Sequence, residues 1–186
     1  ATLHALAGIR GDWDATERLR SSASMMLTRS RYPQAAFFLH ASVARERWLQ
    51  GDLDAALGAA EAWADQSMHS AGRPYLLLLR ALQGERSAVS GELLQRQLRI
   101  PRGGADFNVL GSIGLHLELA TALNEPSLVE PAYEAIAPIA QRGVVFSPSP
   151  SLLLERLLGA GARLLGNFQT ARGHLQRAQE QAEAAK

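Results

Sequence analysis

Trp48-Leu49-Gln50-Gly51-Asp52-Leu53-Asp54 and Leu164-Leu165-Gly166-Asn167-Phe168-Gln169 share one layout: a helix-favouring run, a glycine, an Asp or Asn, then a second helix-favouring run. Glycine readily takes the left-handed conformation that closes a helix C-terminus. The residue after it can accept hydrogen bonds from the free N–H groups that open the next helix. The product is two antiparallel helices joined by a tight turn. The same signature stands at Gly11-Asp12, at Gly84-Glu85 and, with Asn in the glycine's place, at Asn124-Glu125. Successive hinges are 40, 33, 40 and 42 residues apart, the quasi-period of stacked helical hairpins. The sequence therefore predicts an all-α chain, a right-handed superhelical array of about five antiparallel helix pairs.

Working outward from the hinges, the pairs read as Thr2 to Arg10 with Trp13 to Ser30, Pro33 to Gln50 with Leu53 to Ser67, and Arg73 to Gln83 with Ser87 to Leu98. Asp106 to Leu123 with Pro126 to Gln141, and Ser151 to Leu165 with Phe168 to Ala184, complete the set. Pro33, Pro74 and Pro126 fall at or near helix starts, where a missing N–H costs little. Pro131 and Pro138 fall inside a helix and predict a kink or an early end. Two stretches resist helix assignment: residues 99–105 (RIPRGGA) and the extended connector 142–150 (RGVVFSPSP).

At 186 residues the chain fits one domain or one short repeat array, read here as a single repeat domain over 1–186 cut from a longer multidomain protein. The net charge of +1 sets up no global field to draw in nucleic acid or an anionic membrane, so no direct nucleic-acid contact is expected. The absence of cysteine excludes disulfides and thiolate metal sites, which fits a cytoplasmic setting. No apolar run reaches the ~18 residues of a membrane span.

Gly51-Asp52-Leu53-Asp54 followed by Ala56, and Gly166-Asn167-Phe168-Gln169 followed by Ala171, Leu175 and Ala178, resemble tetratricopeptide repeats. That family places a small residue seven positions before the turn, here Ala44 and Gly159, whereas His4, Leu77 and Leu117 replace it in the other copies and Thr16 stands where Ala is usual. Over most of its length the chain is similar to the C-terminal helical repeat region of large bacterial signalling proteins: LuxR-type regulators with an ATPase module, and multidomain adenylate cyclases. The resemblance implies an interaction or ligand-sensing module that regulates an attached effector in transcription or signalling. It implies a protein, peptide or small-molecule partner, leaves self-association open, and assigns no cofactor. A free-standing adaptor that docks a peptide or protein is the alternative.

No enzyme signature emerges. The chain has no phosphate-cradling Gly-x-x-x-x-Gly-Lys loop and no Gly-x-Ser-x-Gly elbow. His4, His40, His69, His116 and His174 are widely separated and read as surface or groove residues. Only a site gathering acids and histidines from separate helices would favour catalysis. The binding surface is expected on the first helix of each pair, along the helical stripe that includes the positions three, six and ten residues before each hinge. The candidates are Phe38, Arg45 and Trp48 in the second pair, Glu118 and Thr121 in the fourth, and Arg156 and Arg163 in the fifth. Arginines beside an aromatic can clamp a carboxylate or a peptide C-terminus. The alternative is that they pair with Glu118 and other acids across the groove.

Overall fold

The computed structural model describes residues 7–8, 11–29, 33–66, 72–90, 107–147 and 152–184, and among them every named regular element is a helix. These are α1 (Trp13–Arg29), α2 (Pro33–Leu49), α3 (Leu53–Gln66), α4 (Gly72–Leu82), α5 (Phe107–Leu123), α6 (Pro126–Gln141), α7 (Leu154–Leu164) and α8 (Phe168–Ala184). Residues 86–90 are also helical. Most of the expected helix Thr2 to Arg10, the end of Ser87 to Leu98 and the connector 99–105 lie outside the described residues.

All five expected hinges are built alike. Gly11, Gly51, Gly84, Asn124 and Gly166 have φ of 69°, 81°, 102°, 61° and 81°. Asn124 is the one non-glycine residue at positive φ among the described residues, a place its short amide side chain tolerates. Each hinge N–H donates to the carbonyl three residues back, at 3.0 to 3.2 Å. The following N–H donates to the carbonyl five residues back: Asp12 to Ala7, Asp52 to Arg47, Glu85 to Arg80, Glu125 to Ala120 and Asn167 to Ala162, at 2.9 to 3.0 Å. This double closure satisfies carbonyls that a helix end otherwise leaves orphaned. On the other side of the turn, Asp12 Oδ1 and Asp52 Oδ1 accept the N–H groups of Ala15 and Ala55 and so open α1 and α3.

Because the hinges are equivalent, residues at equal distances from them pack alike. Five positions after the hinge stand Thr16, Ala56, Val89, Val129 and Ala171, all 3% exposed or less. Thr16, where Ala is usual, is tolerated because its hydroxyl donates to the Asp12 carbonyl at 2.7 Å. Seven before the hinge, Ala44, Leu77, Leu117 and Gly159 are buried; His4 lies outside the described residues.

The chain divides into two compact units, residues 1–79 and 80–186, with the division inside α4. In the first unit α3 packs on α2, and Tyr75 meets Trp63 and Trp48 with ring centroids 5.5 and 5.8 Å apart. In the second, α5 packs on α6, α7 on both of these, and α8 on α7. Two glycines let α7 approach both neighbours. A Cβ on Gly161 would come within 3.1 Å of Leu117 and 3.3 Å of Val129; one on Gly159 would lie 2.6 Å from Leu175 Cγ and 3.3 Å from the Ala171 carbonyl oxygen.

Two expectations are corrected. Helix α6 does not end early at Pro131 or Pro138 but continues to Gln141. Both prolines are exposed and seven residues apart, and Ser127 and Glu134, whose carbonyls lose their N–H partners, are exposed as well. Water can take over those acceptors on the outer face. Helix α7 starts at Leu154 rather than Ser151, because the end of the connector forms an antiparallel bridge between Phe146 and Leu153. There Ser147 N–H donates to the Leu152 carbonyl at 2.8 Å and Leu154 N–H to the Val145 carbonyl at 2.9 Å.

Gly159→Ala is expected to lower unfolding stability by about 1–3 kcal/mol through overpacking against α8. Leu175→Ala in the same chain, which removes the clashing Cγ, should restore part of the loss in urea denaturation.

Candidate functional site

Of the expected stripe residues, the second unit brings Glu118 and Arg156 together, as the alternative of pairing across the groove has it. Glu118 on α5 and Arg156 on α7 form an ion pair at 2.8 Å, with side-chain exposures of 15% and 41%. Thr121, one turn along α5 from Glu118, uses its hydroxyl to donate to the Leu117 carbonyl at 2.7 Å. Ser147 of the connector lies at the other end of the stripe. Ser147 is fully buried, and a Cβ on Gly114 would come within 3.2 Å of its side chain, so glycine eases the close approach of Ser147 to α5.

The remaining candidates are dispersed. Arg45 is only 8% exposed, and burial pushes its guanidinium pKa down while the neighbouring Tyr75 pulls it up. Burial drives the Tyr75 phenol up. Trp48 stands half-buried, edge-on to Tyr75. Phe38 belongs to α2, with its side chain outside the described residues. Arg163 does not join Glu118. It is exposed and flanks an open hollow of about 390 Å³ formed mainly by α8.

A cluster that sequence reasoning missed joins three helices of the second unit. His174 on α8 has Nδ1 2.6 Å from Glu155 Oε2 on α7 and Nε2 2.9 Å from the Tyr133 hydroxyl on α6. Arg177, one turn beyond His174, reaches the same Glu155 oxygen at 3.0 Å and lies 2.8 Å from Nδ1. An ionised carboxylate only accepts, which assigns the proton to Nδ1 and leaves Nε2 to accept from Tyr133. Burial pushes Glu155 up, but its hydrogen bonds with Arg177 and His174 and their charges outweigh it, and its pKa is held below the usual carboxylate value. Tyr133 is pushed up by burial and by the Glu155 charge, against Arg177. Both ring nitrogens of His174 are engaged, so the constellation ties α6, α7 and α8 together.

His174 and His116 also correct the surface reading of the histidines. His116 lies in α5 with Nε2 enclosed and without a hydrogen-bond partner. Burial lowers its pKa to about 4, against the raising effect of a hydrogen bond with the Ser112 backbone.

No protein-family model matches the chain, and neither the curated proteins nor the solved structures give a match.

His116 and Glu155 are expected to make the protein acid-sensitive in separate windows. Unfolded histidine binds a proton near its ordinary 6.5 whereas folded His116 resists until about 4, so stability falls as pH drops through that interval, at up to about 1.4 kcal/mol per pH unit. Glu155 contributes stability above the ordinary carboxylate pKa that is lost as pH falls through its lower folded value. His116→Leu should flatten the upper window and Glu155→Gln the lower one in denaturation curves measured from pH 7 to 3.

Proposed function

We propose that the chain is a tetratricopeptide-like interaction module whose hairpins stack in a right-handed superhelix and present a non-catalytic binding face. It serves a larger cytoplasmic signalling protein whose attached effector it regulates. The observation that carries this reading is the identity of the five hinges: same φ sign, same pair of closing hydrogen bonds, same buried position five residues on. A chain that repeats one hairpin geometry generates a row of equivalent first helices, and such a row is a surface for extended or helical partners. Among the described residues no group of three or more His, Cys, Asp or Glu is placed to hold a metal, and no helix is long and apolar enough to cross a membrane.

In the fourth and fifth hairpins that face carries the Glu118–Arg156 pair, partly open to solvent. Such a pair contributes only about 0.2–1 kcal/mol to stability, so a ligand carboxylate could compete for the guanidinium at little cost to the fold. A photo-crosslinking residue placed at Thr121 in the natural full-length protein is expected to trap a discrete partner in its host cells. The same residue at exposed Glu130 should trap none, and Arg156→Ala should abolish the Thr121 product without changing helicity. Equal labelling from both positions, or none from Thr121, refutes the face.

A further inference from the structure

We infer that Glu155, His174 and Arg177 form a proton-driven exchange, in which a charged His174 takes the Glu155 carboxylate for itself and drives Arg177 off it. Three polar atoms stand in a tight triangle. Glu155 Oε2 lies 2.6 Å from His174 Nδ1 and 3.0 Å from Arg177 Nη2, and the two nitrogens are 2.8 Å from each other. With the ring proton on Nδ1 both nitrogens are donors, so their contact is no hydrogen bond and the two compete for one oxygen. The charged and titratable groups that face the ring among the described residues are Tyr133 from α6, Glu155 from α7 and Arg177 from α8 itself.

A neutral ring adds no charge, and Arg177 is then the cation that balances the carboxylate. When Nε2 takes up a proton, the ring becomes a second cation 2.8 Å from the guanidinium, a separation at which like charges in a partly buried place repel strongly. One of the two must move, and the geometry decides which. His174 is tied at both ends. Its Nδ1–H already donates to Glu155, and the new Nε2–H can donate to the Tyr133 oxygen once the phenol hydrogen turns away, because a hydroxyl both donates and accepts. The side chains of His174 and Glu155 are 12% and 10% exposed, against 50% for Arg177. Arg177 is therefore the group that yields, and water can solvate it. The tie between α6, α7 and α8 persists in both states, while the cation that holds Glu155 changes. The exchange rests on this cluster and not on the Glu118–Arg156 pair, so it can fail while the proposed function stands.

A double-mutant cycle between Glu155→Gln and Arg177→Ala tests it, read in urea denaturation of the full chain at about pH 8 and about pH 5, on either side of the ordinary histidine range. Glu155 stays ionised at both, since its pKa is held below the usual carboxylate value. The two substitutions should be coupled about two- to five-fold in the unfolding equilibrium constant at the higher pH, and uncoupled at the lower. In a His174→Gln background, where no ring can charge, the coupling should be equal at the two pH values. Coupling that persists at the lower pH, that is absent at the higher one, or that still depends on pH without His174 overturns the proposal.

Discussion

The left-handed residue at each hinge is the constraint on which everything else rests. A helix can reverse direction within two or three residues only if one residue leaves the right-handed region and the last carbonyls find donors. Gly11, Gly51, Gly84, Asn124 and Gly166 meet both requirements in one step, because the conformation that turns the chain also aims two N–H groups back at the helix just ended. A β-branched residue at any of them would oppose the turn itself. The side-chain caps of Asp12 and Asp52 come second, since Glu125 opens α6 without one and the turn is unaffected.

A fixed turn also fixes register, which explains how the degenerate copies survive. Leu117 occupies a place where a small residue is expected and carries far more volume than Ala44 or Gly159. The volume is recovered in the first helix of the next pair, where Gly161 stands against Leu117 Cδ1. Large and small residues have exchanged sides of one interface, so density is kept while the local pattern is lost. In the first unit the same need is met by rings, with Tyr75 lodged between Trp48 and Trp63.

What could be read from the sequence follows the range of the forces involved. The hinges are local chemistry, and the eight named helices begin and end within about three residues of the places that hinges, prolines and caps indicate. The stripe is periodic chemistry, and it placed Glu118 and Arg156 on facing helices where they are found paired. Tyr133, Glu155 and His174 were invisible by comparison. Their partners are 41 and 19 residues apart, and only the stacking of the fourth on the fifth hairpin reveals that Tyr133, nine after one hinge, meets His174, eight after the next. The bridge between Phe146 and Leu153 was hidden because the prolines of the connector indicated extension without indicating where it would lie.

Helix α7 is thereby held from two sides by charge. Glu155 and Arg156 are consecutive, about 100° apart around the helix; one turns to His174 and Arg177 on α8, the other to Glu118 on α5. Gly159 and Gly161 repeat that division in apolar form, one against α8 and the other against α5 and α6. With both faces of α7 occupied, α8 cannot shift without breaking the Tyr133–His174–Glu155 chain.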